Sequence, residues 1–281
     1  VTLPLALHGV ICKKDGSTVT VNIGDKPNDP VVGVSDLLIH LSGEQMGKKA
    51  SEVIKGESLD VLIGSIPGPE KDDDDKDIKE RVKANILTIL SQEYGVDEDD
   101  FLSAEIEVVP AGEARDYGLD RSMIMGYGHD DRVCAYPSYR AMLEIEGAPE
   151  YTSVCLLVDK EEIGSVGASG MQSRFFENCV AEVMNLTGQY SELALRRCLQ
   201  NSHMLSSDVS AAFDPNYASA FEKKNIAYLG RGMVFNKYTG SRGKSGSNDA
   251  CAEYIGELRK VMDDSNVCWQ TAELGKVDQG G

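Results

Sequence analysis

Three short acidic segments in the second half of the chain have the residue types of a metal site. They are Gly128-His-Asp-Asp-Arg132, Val158-Asp-Lys-Glu-Glu-Ile-Gly-Ser165 and Ser206-Ser-Asp-Val209. Each puts an acid at the edge of an apolar element, and open α/β sheets bind ligands at the carboxyl ends of their strands. Two divalent ions about 3.5–4 Å apart need one bridging carboxylate and terminal ligands for each ion. A further carboxylate, not bound to metal, must take the proton of the attacking water. Adjacent glutamates on a loop can turn both heads to one site, one ligating while its neighbour acts as base. The same residues have ordinary uses. A Glu-Glu pair commonly sits on a solvated surface, and Asp130-Asp131 and Ser206-Ser-Asp208 suit helix caps. Spacing alone does not join the three segments.

The elements that must position these acids follow from periodicity. A helix is expected over 137–146, a continuous apolar run of buried-strand type over 152–158, and helices over 172–185 and 191–201. A short strand is expected over 203–207 and a helix over 248–261. Alternation of helix and strand implies an α/β layer fold with a central sheet covered on both faces. The first part has a different texture. Residues 3–12 and 17–23, separated by Lys14-Asp-Gly16, read as a hairpin. Residues 35–42 read as a short helix or strand, 77–95 as a helix, and 105–110 as a strand, so this part is β-rich.

A chain of 281 residues with 41% apolar residues can bury a core. No apolar run approaches a membrane span. A formal charge of −18 works against nucleic acid and anionic membranes as partners. The run Asp72-Asp-Asp-Asp-Lys76 reads as a solvated acidic loop. Seven cysteines, an odd number without C-x-x-C spacing, suit reduced thiols in the cytoplasm. With four histidines and no H-E-x-x-H, any catalytic metal must lean on carboxylates, and such a site admits Zn²⁺, Mn²⁺ or Co²⁺. His8 reads as a packed or surface histidine, His203 as a core residue or a support behind the metal ligands, and Trp269 as core or interface.

The strings GHDDR, DKEEIGS, SSDVSAAFDPNYA and NKYTGSRGKSGSNDA resemble, in order and approximate spacing, the successive blocks of the aspartyl aminopeptidase / aminopeptidase I metallopeptidases. The likeness covers the whole chain and is strongest from Gly128 onward. It implies two divalent ions, zinc first among them, and hydrolysis of the N-terminal residue of short peptides. It assigns Asp130 as the bridging ligand, with Asp131 in place of the usual Asn, and Glu162 and Asp208 as terminal ligands. Glu161 corresponds to the general base that activates water, and Lys237 to a lysine near the substrate pocket. His40 resembles the histidine that an inserted domain lends to a neighbouring subunit's active site.

The resemblance also implies an architecture. Residues 1–113 correspond to an inserted β-rich dimerisation domain, and 114–281 to a catalytic domain of zinc-exopeptidase type, a central mixed sheet flanked by helices. Relatives form homo-oligomers, dodecamers among them. The family's first His-x-Asp block and its downstream histidine ligand have no counterpart here, so both ends of the catalytic domain are expected outside these 281 residues. The alternatives are a non-catalytic assembly homologue of the same fold and a related two-metal deacylase. Retention of Asp130, Glu161, Glu162 and Asp208 argues against the first.

Overall fold

Lys13 to Ser17 turns the chain back on itself: Lys13 N donates to Ser17 O at 2.8 Å, and Asp15 Oδ1 accepts from the Ser17 amide and hydroxyl. This turn joins β1 (Leu5–Cys12) to β2 (Thr18–Ile23), the expected hairpin. In the computed structural model, which describes residues 3–69, 78–238 and 249–276, the chain divides into two compact units, Val1–His129 and Asp130–Gly281. The acidic run at 72–76, residues 239–248 of the glycine-rich block and residues 277–281 lie outside the described residues.

In the first unit, short strands β3 (Gly33–Val34) and β4 (Val61–Leu62) pair with each other. The larger sheet has β1 at its centre, with β2 on one side and β5 (Ala104–Pro110) on the other, all antiparallel. Alternate side chains of a strand share a face, and one face of this sheet buries Ile11 and Val21 against Val96. Val96 arrives there because helix α3 (Ile78–Tyr94) ends at Gly95, whose φ of +64° suits a residue without Cβ. Two single-turn helices, α1 (Gly43–Met46) and α2 (Ala50–Val53), precede it. Hairpin β6 (Arg115–Tyr117) and β7 (Met123–Met125) closes the unit.

Gly9 is where the sheet packs most tightly: a Cβ there would lie 2.0 Å from Glu105 O across the β1–β5 pairing. Neither backbone can give way without breaking the ladder. Gly9→Ala is expected to destabilise the chain by about 1–3 kcal/mol, as overpacking does, read as a lower urea midpoint.

Residues 35–42 form neither helix nor strand. They make a turn closed by Leu41 N donating to Leu38 O at 2.8 Å, and Leu37, Leu38, Ile39 and Leu41 are exposed. The apolar residues Leu37, Leu38, Ile39 and Leu41, broken by His40, follow neither the period of 2 nor that of 3.6 that would give them one face to bury.

In the second unit, α4 (His129–Leu143) begins well before Pro137, which lies inside it rather than at its start. Helices α5 (Phe175–Leu186) and α6 (Glu192–Gln200) follow, close to expectation; Ser191 Oγ caps α6 by accepting from Ala194 N at 3.1 Å. Strand β8 (Met233–Phe235) pairs in parallel with β9 (Trp269–Thr271), joined through α7 (Ala252–Asp264). The fold is mixed α/β with small sheets. The expected strands over 152–158 and 203–207 carry no ladder, and Val154, Leu157, Met204 and Leu205 are exposed. A buried parallel strand draws its hydrogen bonds from neighbours distant in sequence, which an apolar run cannot specify. Among the described residues no helix is long and apolar enough to cross a membrane.

Candidate metal centre

The backbone bends where α4 begins. Asp130 and Asp131 leave helical geometry, with ψ of 109° and 32°, and the peptide between them is cis. Gly128, at φ +72°, supplies the turn that delivers them. Asp208 comes from the loop after α6, and its Oδ1 accepts from Val209 N at 2.7 Å. One carboxylate oxygen from each of Asp130, Asp131 and Asp208 lies within 4.8 Å of the other two. Asp131 is half-buried, and its Oδ1 is a buried oxygen that meets no hydrogen-bond donor among the described residues.

Three like charges at this separation repel one another unless a cation lies among them. An orphaned buried oxygen carries a further desolvation penalty. A divalent ion among the three acids relieves the repulsion, so the donor set fits the metal that the sequence implies, and its oxygen-only character suits a hard or borderline cation.

Cys134 lies one helical turn beyond Asp131 and is half-buried. Burial, then the hydrogen bond to Asp131 and the nearby charges of Asp131 and Asp208, push its thiol up to about 12. At neutral pH it therefore remains a thiol and donates to the Asp131 carboxylate. Sequence reasoning missed it; the signal was a cysteine three residues after an acid at a helix start.

Glu161 and Glu162 are exposed on a closed loop between 159 and 172 and are not members of the three-aspartate cluster. Gly164 N donates to Glu161 O at 2.9 Å, and Ser165 N to Lys160 O at 2.7 Å. Lys160 and Ser165 take φ of +65° and +58°, which wraps the loop tightly. Asp159 is held below the usual carboxylate range, first by the Lys160 amide and then by the Lys160 side chain.

Lys237 Nζ stands 3.8 Å from Asp249 Oδ1 and 5.0 Å from the Tyr238 ring centroid. Its pKa is raised, first by Tyr238 and least by Asp249. His40 is exposed at the turn of 38–41 in the first unit. His203 is not a core residue: its ring lies tilted against that of Tyr254, centroids 4.7 Å apart, and its side chain is 63% exposed. Trp269 is half-buried beside Phe235, with its indole N–H donating to Asp263.

A family model described as aminopeptidase I zinc metalloprotease (M18) matches residues 2–281. The chain belongs to the M18 family. A probable M18 family aminopeptidase 1 of Clostridium acetobutylicum is 64% identical over 281 residues, 100% of this chain and 59% of that protein. The crystal structure of aminopeptidase I from the same organism superimposes with a TM-score of 0.86 at 61% identity, over 100% of this chain and 59% of that one. The M18 aminopeptidase structure from Thermotoga maritima gives 0.89 at 44% identity, covering 100% and 60%. A structure of the mApe1 dodecamer of S. cerevesiae shares the fold, with a TM-score of 0.59 at 15% identity over 97% and 58%. The chain thus spans about three fifths of the length of the M18 relatives it matches.

Proposed function

We propose that the full-length protein is a metal-dependent aminopeptidase that removes the N-terminal residue of short peptides. The observation that carries this reading is the convergence of Asp130, Asp131 and Asp208 in a chain of the M18 family. Asp130 is the residue that would hold two divalent ions at once, with Glu162 and Asp208 as terminal ligands and histidines from beyond these residues completing the set. When bound, the ions supply Lewis-acid polarisation of the scissile carbonyl and lower the pKa of water. Zinc fits the family, and Mn²⁺ or Co²⁺ suits the same oxygen donors.

Glu161 takes the proton from the attacking water and returns it to the leaving amine. Asp131 lies beside Asp130 with the Cys134 thiol donating to it, which holds its carboxylate in place. Lys237 is assigned to substrate binding, and His40 to the substrate site of a neighbouring subunit. An ammonium at Lys237 favours an acidic N-terminal side chain, and its contact with Asp249 would have to be exchanged for one with the substrate.

In this reading residues 1–113 are an inserted dimerisation domain and 114–281 belong to a catalytic domain with a central mixed sheet flanked by helices. The protein assembles as a homo-oligomer, a dodecamer by analogy with the family, and works in the cytoplasm, where its unpaired cysteines stay reduced. Hydrolysis of aspartyl- and leucyl-anilides by the full-length protein tests the activity. Chelator-sensitive release from either supports it, and the faster substrate fixes the charge preference. Release from neither, with zinc, manganese or cobalt added, contradicts it.

A further inference from the structure

The loop that carries Glu161 and Glu162 has few side-chain supports. Both acids are exposed, and the turn beneath them is closed by backbone hydrogen bonds, with the Lys160 ammonium beside the Asp159 carboxylate. Two of its carbonyls are taken up by a single residue. Gln172 donates its side-chain Nε2 to Gly164 O at 2.7 Å and its backbone N to Ser165 O at 3.1 Å. Gly164 in turn donates to Glu161 O, and Ser165 to Lys160 O, so the clamp at Gln172 is linked to the peptide units on either side of the glutamate pair.

The return of the chain to this position depends on Gly170. It is buried, and a Cβ there would lie 2.2 Å from Ser165 O and 2.3 Å from Val166 O. Only a residue without a side chain lets the strand of loop before Gln172 pass so close to the strand after Glu162. Gln172 then sits just ahead of α5, a helix whose backbone is fixed by its own ladder. The amide group therefore ties a wrapped, acid-bearing turn to a rigid element.

We propose that Gln172 is a positioning residue of the aminopeptidase reaction: its side-chain amide, bonded to Gly164 O, holds the turn that orients Glu161 and Glu162. This rests on the reading of Glu161 as general base. A base must lie within hydrogen-bond reach of the proton it takes, and a displacement of about 1 Å at such a group costs on the order of 100-fold in rate. Glu161 acts on the attacking water and not on substrate binding, so loss of its orientation in a metal-loaded protein belongs in kcat and not in KM.

The test compares Gln172→Glu, Gln172→Ala and Glu161→Gln in the full-length, metal-loaded protein. Gln172→Glu keeps the shape of the side chain but sets a carboxylate oxygen against Gly164 O, so a mere packing role would leave it active. The expected result is a kcat lowered about 10- to 100-fold in both Gln172 variants. Wild-type KM and thermal midpoint are expected with it, together with faster amide exchange at Gly164 and Ser165 but not in α5. Wild-type kcat in Gln172→Glu overturns the proposal, as does a loss that appears only with a lowered thermal midpoint. Glu161→Gln separates the two levels of the argument. If it is inactive while Gln172→Glu is normal, the positioning role alone fails; if it is active, the general-base reading fails and the proposal with it.

Discussion

Exchanging Glu161 for glutamine in the full-length protein is expected to lower turnover by about 100- to 10,000-fold, the range that a positioned general acid–base group supplies. Metal content is expected to match the wild type. The side chains differ by one atom type, so the loop bonded through Glu161 O and Gly164 N has no reason to rearrange. Glutamine cannot accept and return a proton, and nothing else at the site replaces that step in the reading above. The check is kcat on a leucyl-anilide beside elemental analysis of the same sample. Loss of metal in Glu161→Gln would make Glu161 a ligand and move the base elsewhere; full activity would remove it from the mechanism.

The second large effect is expected at Asp208. Asp208→Asn removes one of three charges that converge within 4.8 Å while keeping the side chain's shape. Loss of a group that merely supports a ligand costs about 10- to 100-fold in metal affinity, and loss of a ligand costs at least that. Asp208→Asn is therefore expected to lose metal to a chelator at a concentration at least 10-fold lower than the wild type does. Asp131→Asn is the informative partner. The sequence resemblance puts an amide at this position in relatives, so Asp131→Asn is expected to keep its metal. If the two variants lose metal alike, Asp131 is itself a ligand, and its buried Oδ1 is the atom that binds.

The amino-acid pattern disclosed those elements whose signals are local. The β1–β2 hairpin announces itself by Lys14-Asp-Gly16 between alternating strands, and α3, α5, α6 and α7 by apolar residues at helical spacing with Ser191 and Gly95 at two of their ends. It did not disclose what depends on distant pairing. The runs at 152–158 and 35–42 are apolar in composition, yet their exposed side chains show that composition does not choose a partner. The same limit applies at the site. Each acid could be picked out by type and by its position at an element's edge, but the approach of Asp208 to Asp130 is a property of how α4 and the loop after α6 meet. Cys134 and Gln172 were invisible for a related reason: a thiol or an amide carries no signal until the carboxylate or carbonyl it bonds is known.

Elemental analysis of the full-length protein, before and after chelation and beside its hydrolysis of aspartyl- and leucyl-anilides, tests the central claim most directly. The account predicts about two divalent ions per subunit, with activity lost on chelation and restored by zinc, manganese or cobalt. A protein that binds no divalent ion and releases neither anilide after reconstitution with all three metals would contradict it.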